Sequence, residues 1–212
     1  GLHHGLLPLL DVILEQPEGE RFVMLALSRT DERVRAGKHI APGFLFATLL
    51  WHEVLKRYKE REARGEHRIP ALDAAIDDVL DLQTEKLAIQ RRYTSDMREI
   101  WMLQPRLERR TGRNAFKLLE HLRLRAGYDF LLLRCAADEA PAELGDWWTK
   151  FMHADADERE QLVAGLGRQE SSGGTKRRRR RGGRGRAAAG AEGGRGDDAA
   201  AGDAPHATDD RG

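Results

Sequence analysis

The stretch RRYTSDMREIWMLQPRLERR, residues 91–110, sets six arginines beside a repeat of apolar side chains. The apolar residues recur every three or four positions, which is the spacing of one face of an α-helix. Arginine is more than a positive charge, because its flat guanidinium binds phosphates through paired hydrogen bonds and stacks on rings. The stretch therefore predicts a helix whose arginines face a polyanion or solvent. Its predicted core face consists of Met97, Ile100, Trp101, Leu103 and Leu107.

Helical patterns also dominate the rest of the chain up to about residue 167. No segment alternates apolar and polar residues for long enough to predict a strand, so we expect an all-α fold. Within the opening stretch, Thr94, Ser95 and Asp96 predict a helix start, and Pro105 predicts a break or kink near Leu103. The predicted helices span residues 6–16, 19–37, 42–66, 70–90, 96–104, 106–110, 113–121, 123–138, 141–153 and 155–166.

Charge is segregated along the 212 residues although the formal net charge is only +1. Residues 86–134 carry 12 Lys and Arg against 5 Asp and Glu, whereas residues 1–85 and 135–167 are both net acidic. Such patterning lets a basic surface attract a polyanion while the whole chain stays nearly neutral. We expect a helical body over residues 1–90 and a helical region that binds a polyanion such as RNA over residues 91–167.

Residues 168–212 contain no aromatic residue and, apart from alanine, no apolar residue. This composition predicts a disordered tail, which is first basic and then weakly acidic. Runs of Arg and Gly bind nucleic acid through phosphate charge without reading sequence, although a merely solubilising tail is the alternative. The predicted RNA contacts in the tail are Lys176, Arg177, Arg178, Arg179, Arg180 and Arg181.

Residues with catalytic or metal-binding potential form no recognisable arrangement. The sequence has no HExxH, Walker or CxxC motif. Asp73, Asp77 and Asp81 share one helix face, where a solvated acidic surface is commoner than a metal site. The single cysteine, Cys135, excludes an intramolecular disulfide and is expected to pack as a small apolar side chain. We therefore predict a binding module without catalytic residues, metal or bound cofactor.

Neither a membrane span nor a signal peptide is visible in the sequence, because no apolar run approaches the roughly 18 residues that a span requires. We expect a protein without membrane contact, located in the cytoplasm. The chain starts at Gly1, inside a helical pattern, and we expect it to be a piece of a longer protein. The sequence identifies no protein partner.

Several stretches resemble the bacterial poly(A) polymerases, which are related to the CCA-adding enzymes. The longest is MREIWMLQPRLERRTGRNAFKLLEHLRLRAGYDFLLLR, residues 97–134. APGFLFATLLW at 41–51, RRYT at 91–94, WWTKF at 147–151 and the arginine-rich tail are similar to the family as well. Leu122 departs from the family pattern, in which proline follows the histidine.

The resemblance implies the carboxy-terminal half of a polynucleotide adenylyltransferase, an enzyme that adds AMP from ATP to RNA 3′ ends with magnesium. In that family an amino-terminal α/β head carries a Gly-Ser motif and the metal-binding carboxylates, which this sequence lacks. We therefore expect Mg²⁺ and ATP to act only in the full-length enzyme, while this part holds RNA and is inactive alone. Two alternatives stay open: a stand-alone helical RNA-binding or interaction module, and the body of a CCA-adding enzyme.

Single-stranded RNA is the expected partner, and about half of the candidate residues are expected to contact it. Others are expected to pair with Asp96, Glu99, Glu108 or Glu120 instead. Tyr93 is the candidate for stacking on a base. The candidate phosphate contacts in the helical part are Arg91, Arg92, Arg98, Arg106, Arg109, Arg110, Arg113 and Lys117.

Overall fold

A computed structural model describes the backbone of residues 19–173 and the side chains of residues 19–166. This part of the chain contains α-helices and no β-strand, which confirms the all-α prediction. The predicted helix at 6–16 and residues 174–212 lie outside the described residues. The chain divides into two units, Gly1–Gly174 and Thr175–Gly212, and every described residue belongs to the first.

Eight α-helices follow one another in the described part. The first ends as predicted, because Gly37 adopts a φ of 66° that favours glycine. No described helix is long and apolar enough to cross a membrane. The helices are α1 (Glu20–Arg35), α2 (Pro42–Ala63), α3 (Arg68–Lys86), α4 (Arg91–Glu108), α5 (Gly112–Leu119), α6 (Leu124–Ala136), α7 (Ala142–His153) and α8 (Ala156–Gly173).

The predicted limits of α4 were wrong at both ends. The helix begins at Arg91 instead of Asp96, and the Thr94 hydroxyl donates to the carbonyl of Arg91 within the helix at 2.7 Å. At the other end, Pro105 lies inside α4 and the helix continues to Glu108. A proline there costs about 3 kcal/mol, and buried residues on both sides of it, including Leu103 and Leu107, supply the packing that outweighs this cost.

All five residues predicted for the core face of α4 are buried, with at most 1% of their surface exposed. Two hydrophobic clusters divide them. The first cluster joins α1, α2, α3, α4 and α6, and it includes Trp101, whose indole N–H donates to the carbonyl of Ala47 at 3.1 Å. The second joins the end of α4 to α5, α6 and α7, and there Trp148 donates to the carbonyl of Leu107 at 2.7 Å. The helix of the opening stretch is therefore shared by both clusters.

Helices α4 and α6 approach closely where Gly127 faces Leu103. A Cβ atom at Gly127 would lie 2.8 Å from Leu103 Cδ1, so a larger residue would force the buried Leu103 side chain to shift. Beside this contact, the buried Gln104 amide donates to the carbonyl of Gly127 at 3.2 Å. The first cluster contains residues from both sides of position 90, so the helices before and after this position share one core. The division into a body over residues 1–90 and an RNA-binding region over residues 91–167 therefore stays a prediction about function.

Candidate nucleic-acid interface

The predicted RNA-binding residues form two groups, at opposite ends of α4. Arg91, Arg92 and Tyr93 occupy its first turn, whereas Arg106 lies near its end. Fifteen residues of helix separate Arg91 from Arg106, which corresponds to about 22 Å along the axis. A strand that contacts both groups must therefore follow the length of α4.

The first turn of α4 combines two sources of positive potential. This turn holds no acidic residue, and the side chain of the N-cap residue, Gln90, does not cap the helix with a hydrogen bond. The positive end of the helix dipole is thus combined with the charges of Arg91 and Arg92, both of which are exposed.

Arg92 and Tyr93 contact each other directly. The guanidinium carbon of Arg92 lies 4.7 Å from the centre of the Tyr93 ring, and its Nη2 donates to the tyrosine hydroxyl at 2.6 Å. Tyr93 is half-buried against the first cluster, with the ring of Phe46 at 6.3 Å between centres. The predicted stacking residue is therefore already in contact with an arginine.

Arg98 is engaged in ion pairs within the protein. Its guanidinium donates to Asp73 at 2.6 Å and also contacts Asp77, and both carboxylates lie on α3. Arg91 lines the adjoining groove together with Asp81, Glu85 and other residues. These carboxylates oppose the approach of a phosphate, so Arg98 and Arg91 are weaker candidates than the sequence indicated.

Most carboxylates on the acidic face of α3 are engaged in ion pairs. Asp73 and Asp77 contact Arg98, and Asp78 accepts a hydrogen bond from Arg61 at 2.6 Å. Among the described residues, no group of three or more His, Cys, Asp or Glu side chains is placed to hold a metal. Asp73, Asp77 and Asp78 therefore stabilise contacts of α3 with α4 and α2.

The end of α4, the turn after it and α5 carry four basic side chains that we call the basic corner: Arg106, Arg109, Arg113 and Lys117. Arg106 is half-buried and the other three are exposed. No ion pair joins any of them to a residue between 19 and 166. Arg113 and Lys117 are four residues apart on α5, on the face opposite the buried Ala115 and Leu118.

Arg110, the neighbour of the basic corner, is paired instead. Its Nη1 donates to Glu143 on α7 at 3.1 Å, and only 24% of the arginine side chain is exposed. Like Arg98, it uses its charge within the protein, where it joins the turn after α4 to α7. Both were predicted to contact RNA.

The geometry of the basic corner depends on two residues that sequence reasoning missed. The amide of Asn114 donates to the carbonyls of Arg106 and Arg109, at 2.7 and 2.6 Å. Trp148 donates to the carbonyl of Leu107 from α7. Unpaired carbonyls are expected at any helix end, but no sequence pattern shows which side chain from another helix will reach them.

The predicted carboxylate partners were wrong. Asp96 and Glu99 both contact Arg123, which follows α5, and Glu108 contacts Arg68 and Arg134. Arg134 is buried, lies 5.4 Å from the centre of the Trp51 ring, and pairs with Glu108 at 3.0 Å. None of these arginines belongs to the predicted set, because the pairing follows the packing of α3, α4 and α6.

Cys135 packs as predicted. Its side chain lies against the second cluster, with the sulfur 3.3 Å from the carbonyl oxygen of Pro141. Burial raises the pKa of the Cys135 thiol, although a hydrogen bond with the backbone of Gly145 acts in the opposite direction. A raised pKa disfavours the reactive thiolate.

The tail contacts cannot be placed on this surface. Lys176, Arg177, Arg178, Arg179, Arg180 and Arg181 all lie outside the described residues.

Comparison with known proteins agrees with this basic, arginine-rich surface. A family model described as "Polymerase A arginine-rich C-terminus" matches residues 64–185, more than half of the 212-residue chain. The chain belongs to this family. The resemblance seen in the sequence is thereby confirmed as that of the carboxy-terminal portion of a bacterial poly(A) polymerase.

Individual relatives carry the same name. Poly(A) polymerase I of Haemophilus influenzae is 36% identical over 170 residues, which cover 77% of this chain and 37% of the relative. Poly(A) polymerase I of Salmonella typhi is 35% identical over 150 residues, covering 69% and 32%. That of Escherichia coli O157:H7 is 38% identical over 156 residues, covering 72% and 33%. The chain thus spans about a third of the length of these relatives. All three are named poly(A) polymerases, which favours that family over the CCA-adding enzymes.

Proposed function

We propose that the chain is the RNA-holding carboxy-terminal part of a polynucleotide adenylyltransferase, which adds AMP from ATP to RNA 3′ ends. The basic corner carries the proposal. Five of the ten arginines from residue 91 to residue 134 are paired with carboxylates, whereas Arg106, Arg109, Arg113 and Lys117 have no such partner between residues 19 and 166. Cations left unpaired on an exposed surface are available for phosphates.

RNA would be held here mainly through its phosphates. The corner offers positive charge, and contacts with phosphates carry no sequence information, so binding through them should depend little on sequence. Single-stranded RNA near a 3′ end fits such a surface, because a flexible strand can follow α4 from one basic group to the other.

Catalysis would belong to the rest of the enzyme. Phosphoryl transfer with two metal ions needs carboxylates that hold both ions, and those on α3 contact arginines instead. We therefore assign Mg²⁺ and ATP to the remainder of the polymerase. The bacterial cytoplasm is the proposed location, because the named relatives are bacterial enzymes.

A charge-reversal experiment tests the proposal. The variant Arg113→Glu/Lys117→Glu changes two exposed side chains that face away from the second cluster, so the fold should persist. Its affinity for single-stranded oligoadenylate should fall by about tenfold or more. The slope of log affinity against log salt should decrease by about 1.4, since each phosphate neutralised on a single strand contributes about 0.7.

The matched control is Lys56→Glu/Lys59→Glu, which makes the same change of net charge at two exposed positions on α2. It should alter affinity and salt slope much less than the corner variant. Equal losses in the two variants would show that only net charge matters, and the basic corner would then have no special role. A wild-type chain that binds no RNA at low salt would refute the proposed function altogether.

A further inference from the structure

The ring of Tyr93 is not free to stack directly on a base. One side of the residue packs against the first cluster near Phe46, and the guanidinium of Arg92 lies over the ring. Displacing Arg92 would break its 2.6 Å hydrogen bond to the tyrosine hydroxyl and its contact with the ring. The exposed planar group at this position is therefore the guanidinium.

We propose that the guanidinium of Arg92 is the stacking platform for an unpaired RNA base, and that Tyr93 is the residue that positions it. The inference rests on the proposed function, that this chain holds RNA. An arginine plane is a known stacking partner for unstacked bases, and it is more weakly hydrated than an ammonium group. A free arginine side chain must lose its rotamer freedom before it can present that plane. Here the ring and the hydroxyl of Tyr93 already restrict it.

The location also suits the phosphates next to such a base. The platform lies in the first turn of α4, where the helix dipole and Arg91 add positive potential, whereas Asp81 and Glu85 lie on the side of Arg91 that faces α3. The hydrogen bond to Tyr93 uses one of five N–H donors of the guanidinium, so others can reach a phosphate or a base acceptor. The expected ligand is single-stranded RNA bound by stacking and charge, without a preference dictated by base edges.

The test separates stacking from charge by using two RNA oligonucleotides of equal length in the full 212-residue chain. One is oligoadenylate, and the other carries the same phosphates with abasic riboses. The central variant is Arg92→Lys, which keeps the charge and removes the plane. Its matched control is Arg91→Lys, which makes the same change at the exposed neighbour that does not contact the Tyr93 ring.

We expect Arg92→Lys to weaken oligoadenylate binding by about tenfold, a loss within the range for one stacked base. On the abasic oligonucleotide the same variant should differ from wild type by less than about twofold, as should Arg91→Lys on both. Tyr93→Phe keeps the ring but loses the hydroxyl, and it should weaken oligoadenylate binding by about threefold without affecting the abasic strand. A purely structural role of Tyr93 would not depend on the presence of bases.

The possible failures are distinguishable. If the wild-type chain binds neither oligonucleotide, the proposed function itself is wrong. If it binds both, and Arg92→Lys lowers both affinities equally or neither, Arg92 is a phosphate contact or a bystander and the stacking platform is refuted. Unchanged thermal midpoints in all three variants establish that the comparison concerns binding and not folding.

Discussion

The side-chain amide of Asn114 donates a hydrogen bond to the carbonyl oxygen of Arg106, at 2.7 Å, and so joins α5 to the last turn of α4. The same amide nitrogen reaches the carbonyl of Arg109 at 2.6 Å. A neutral residue thereby fixes the angle between the two helices that carry the basic corner. The arrangement of the cations depends on a residue that has no charge of its own.

Replacing Asn114 with alanine should reduce both stability and RNA affinity. Two carbonyl groups lose their donor, so the free energy of unfolding should fall by about 1–2 kcal/mol. RNA affinity should fall several-fold although the net charge is unchanged, because Arg113 and Lys117 are then less well placed relative to Arg106. Urea denaturation and RNA titration measure the two effects. The variant Gln161→Ala, which removes an exposed amide on α8, is the control and should change neither. Full RNA affinity in Asn114→Ala would contradict the positioning role.

Two arginines on α6 should differ strongly in their contribution to stability. Arg134 is buried and donates to Gln104 at 3.1 Å and to Glu108 at 3.0 Å. Arg134→Met takes one donor from Gln104 and one from Glu108, which keeps its contact with Arg68, and the free energy of unfolding should fall by about 2 kcal/mol or more. Arg125→Met removes an exposed pair with Asp129 on the same helix and should cost about 0.5 kcal/mol or less.

Urea denaturation of the two α6 variants tests this prediction. Both variants replace arginine with methionine, so their free energies of unfolding can be compared directly. Similar losses in the two would mean that burial of Arg134 adds nothing. RNA affinity should be unchanged in both, since neither residue belongs to the basic corner or to the start of α4.

The core of α4 could be predicted from sequence, whereas its ends could not. Met97, Ile100 and Trp101 recur with the helical period, and this period alone identifies a buried face. Pro105 by itself favours a break in the helix. The helix continues because the residues around Pro105 pack against α6 and α7, and the sequence pattern does not show where those helices lie. Similarly, α3 ends without glycine: Ala88 adopts a φ of 52°, a conformation that alanine seldom takes and that no pattern announces.

The basic character of the site could be predicted, but its division into free and paired cations could not. Arg98 and Arg113 look alike in sequence, and only the fold shows that α3 brings Asp73 and Asp77 to the first of them. No sequence pattern predicted the role of Asn114, because that role consists of two hydrogen bonds to backbone carbonyls. Charge composition thus predicts a kind of partner, whereas the residues that contact it depend on how the helices pack.

The isolated chain should not incorporate AMP into RNA. The carboxylates of α3 contact Arg61 and Arg98, and no described cluster is placed to hold a metal ion. Purified chain incubated with RNA, labelled ATP and Mg²⁺ or Mn²⁺ should give no extension. Extension that persists after contaminating polymerase has been removed would overturn the assignment of catalysis to the rest of the enzyme.

Removal of residues 174–212 should weaken binding to all RNAs by a similar factor. The truncation keeps every described helix, since α8 ends at Gly173, and thermal unfolding should therefore be little changed. The removed segment includes Lys176 and the Arg177–Arg181 run, so the salt slope should fall by about 0.7 for each phosphate that these residues neutralise. Affinity is measured for several RNA sequences at several salt concentrations.

Comparison with the corner variant then shows whether the two basic regions act independently. If they do, Arg113→Glu/Lys117→Glu should lower affinity by the same factor in the truncated chain as in the full one, because effects at independent sites add in free energy. A corner variant that has no effect without the tail would show that the two regions bind RNA jointly. An unchanged salt slope after truncation would show that the arginine run does not contact RNA.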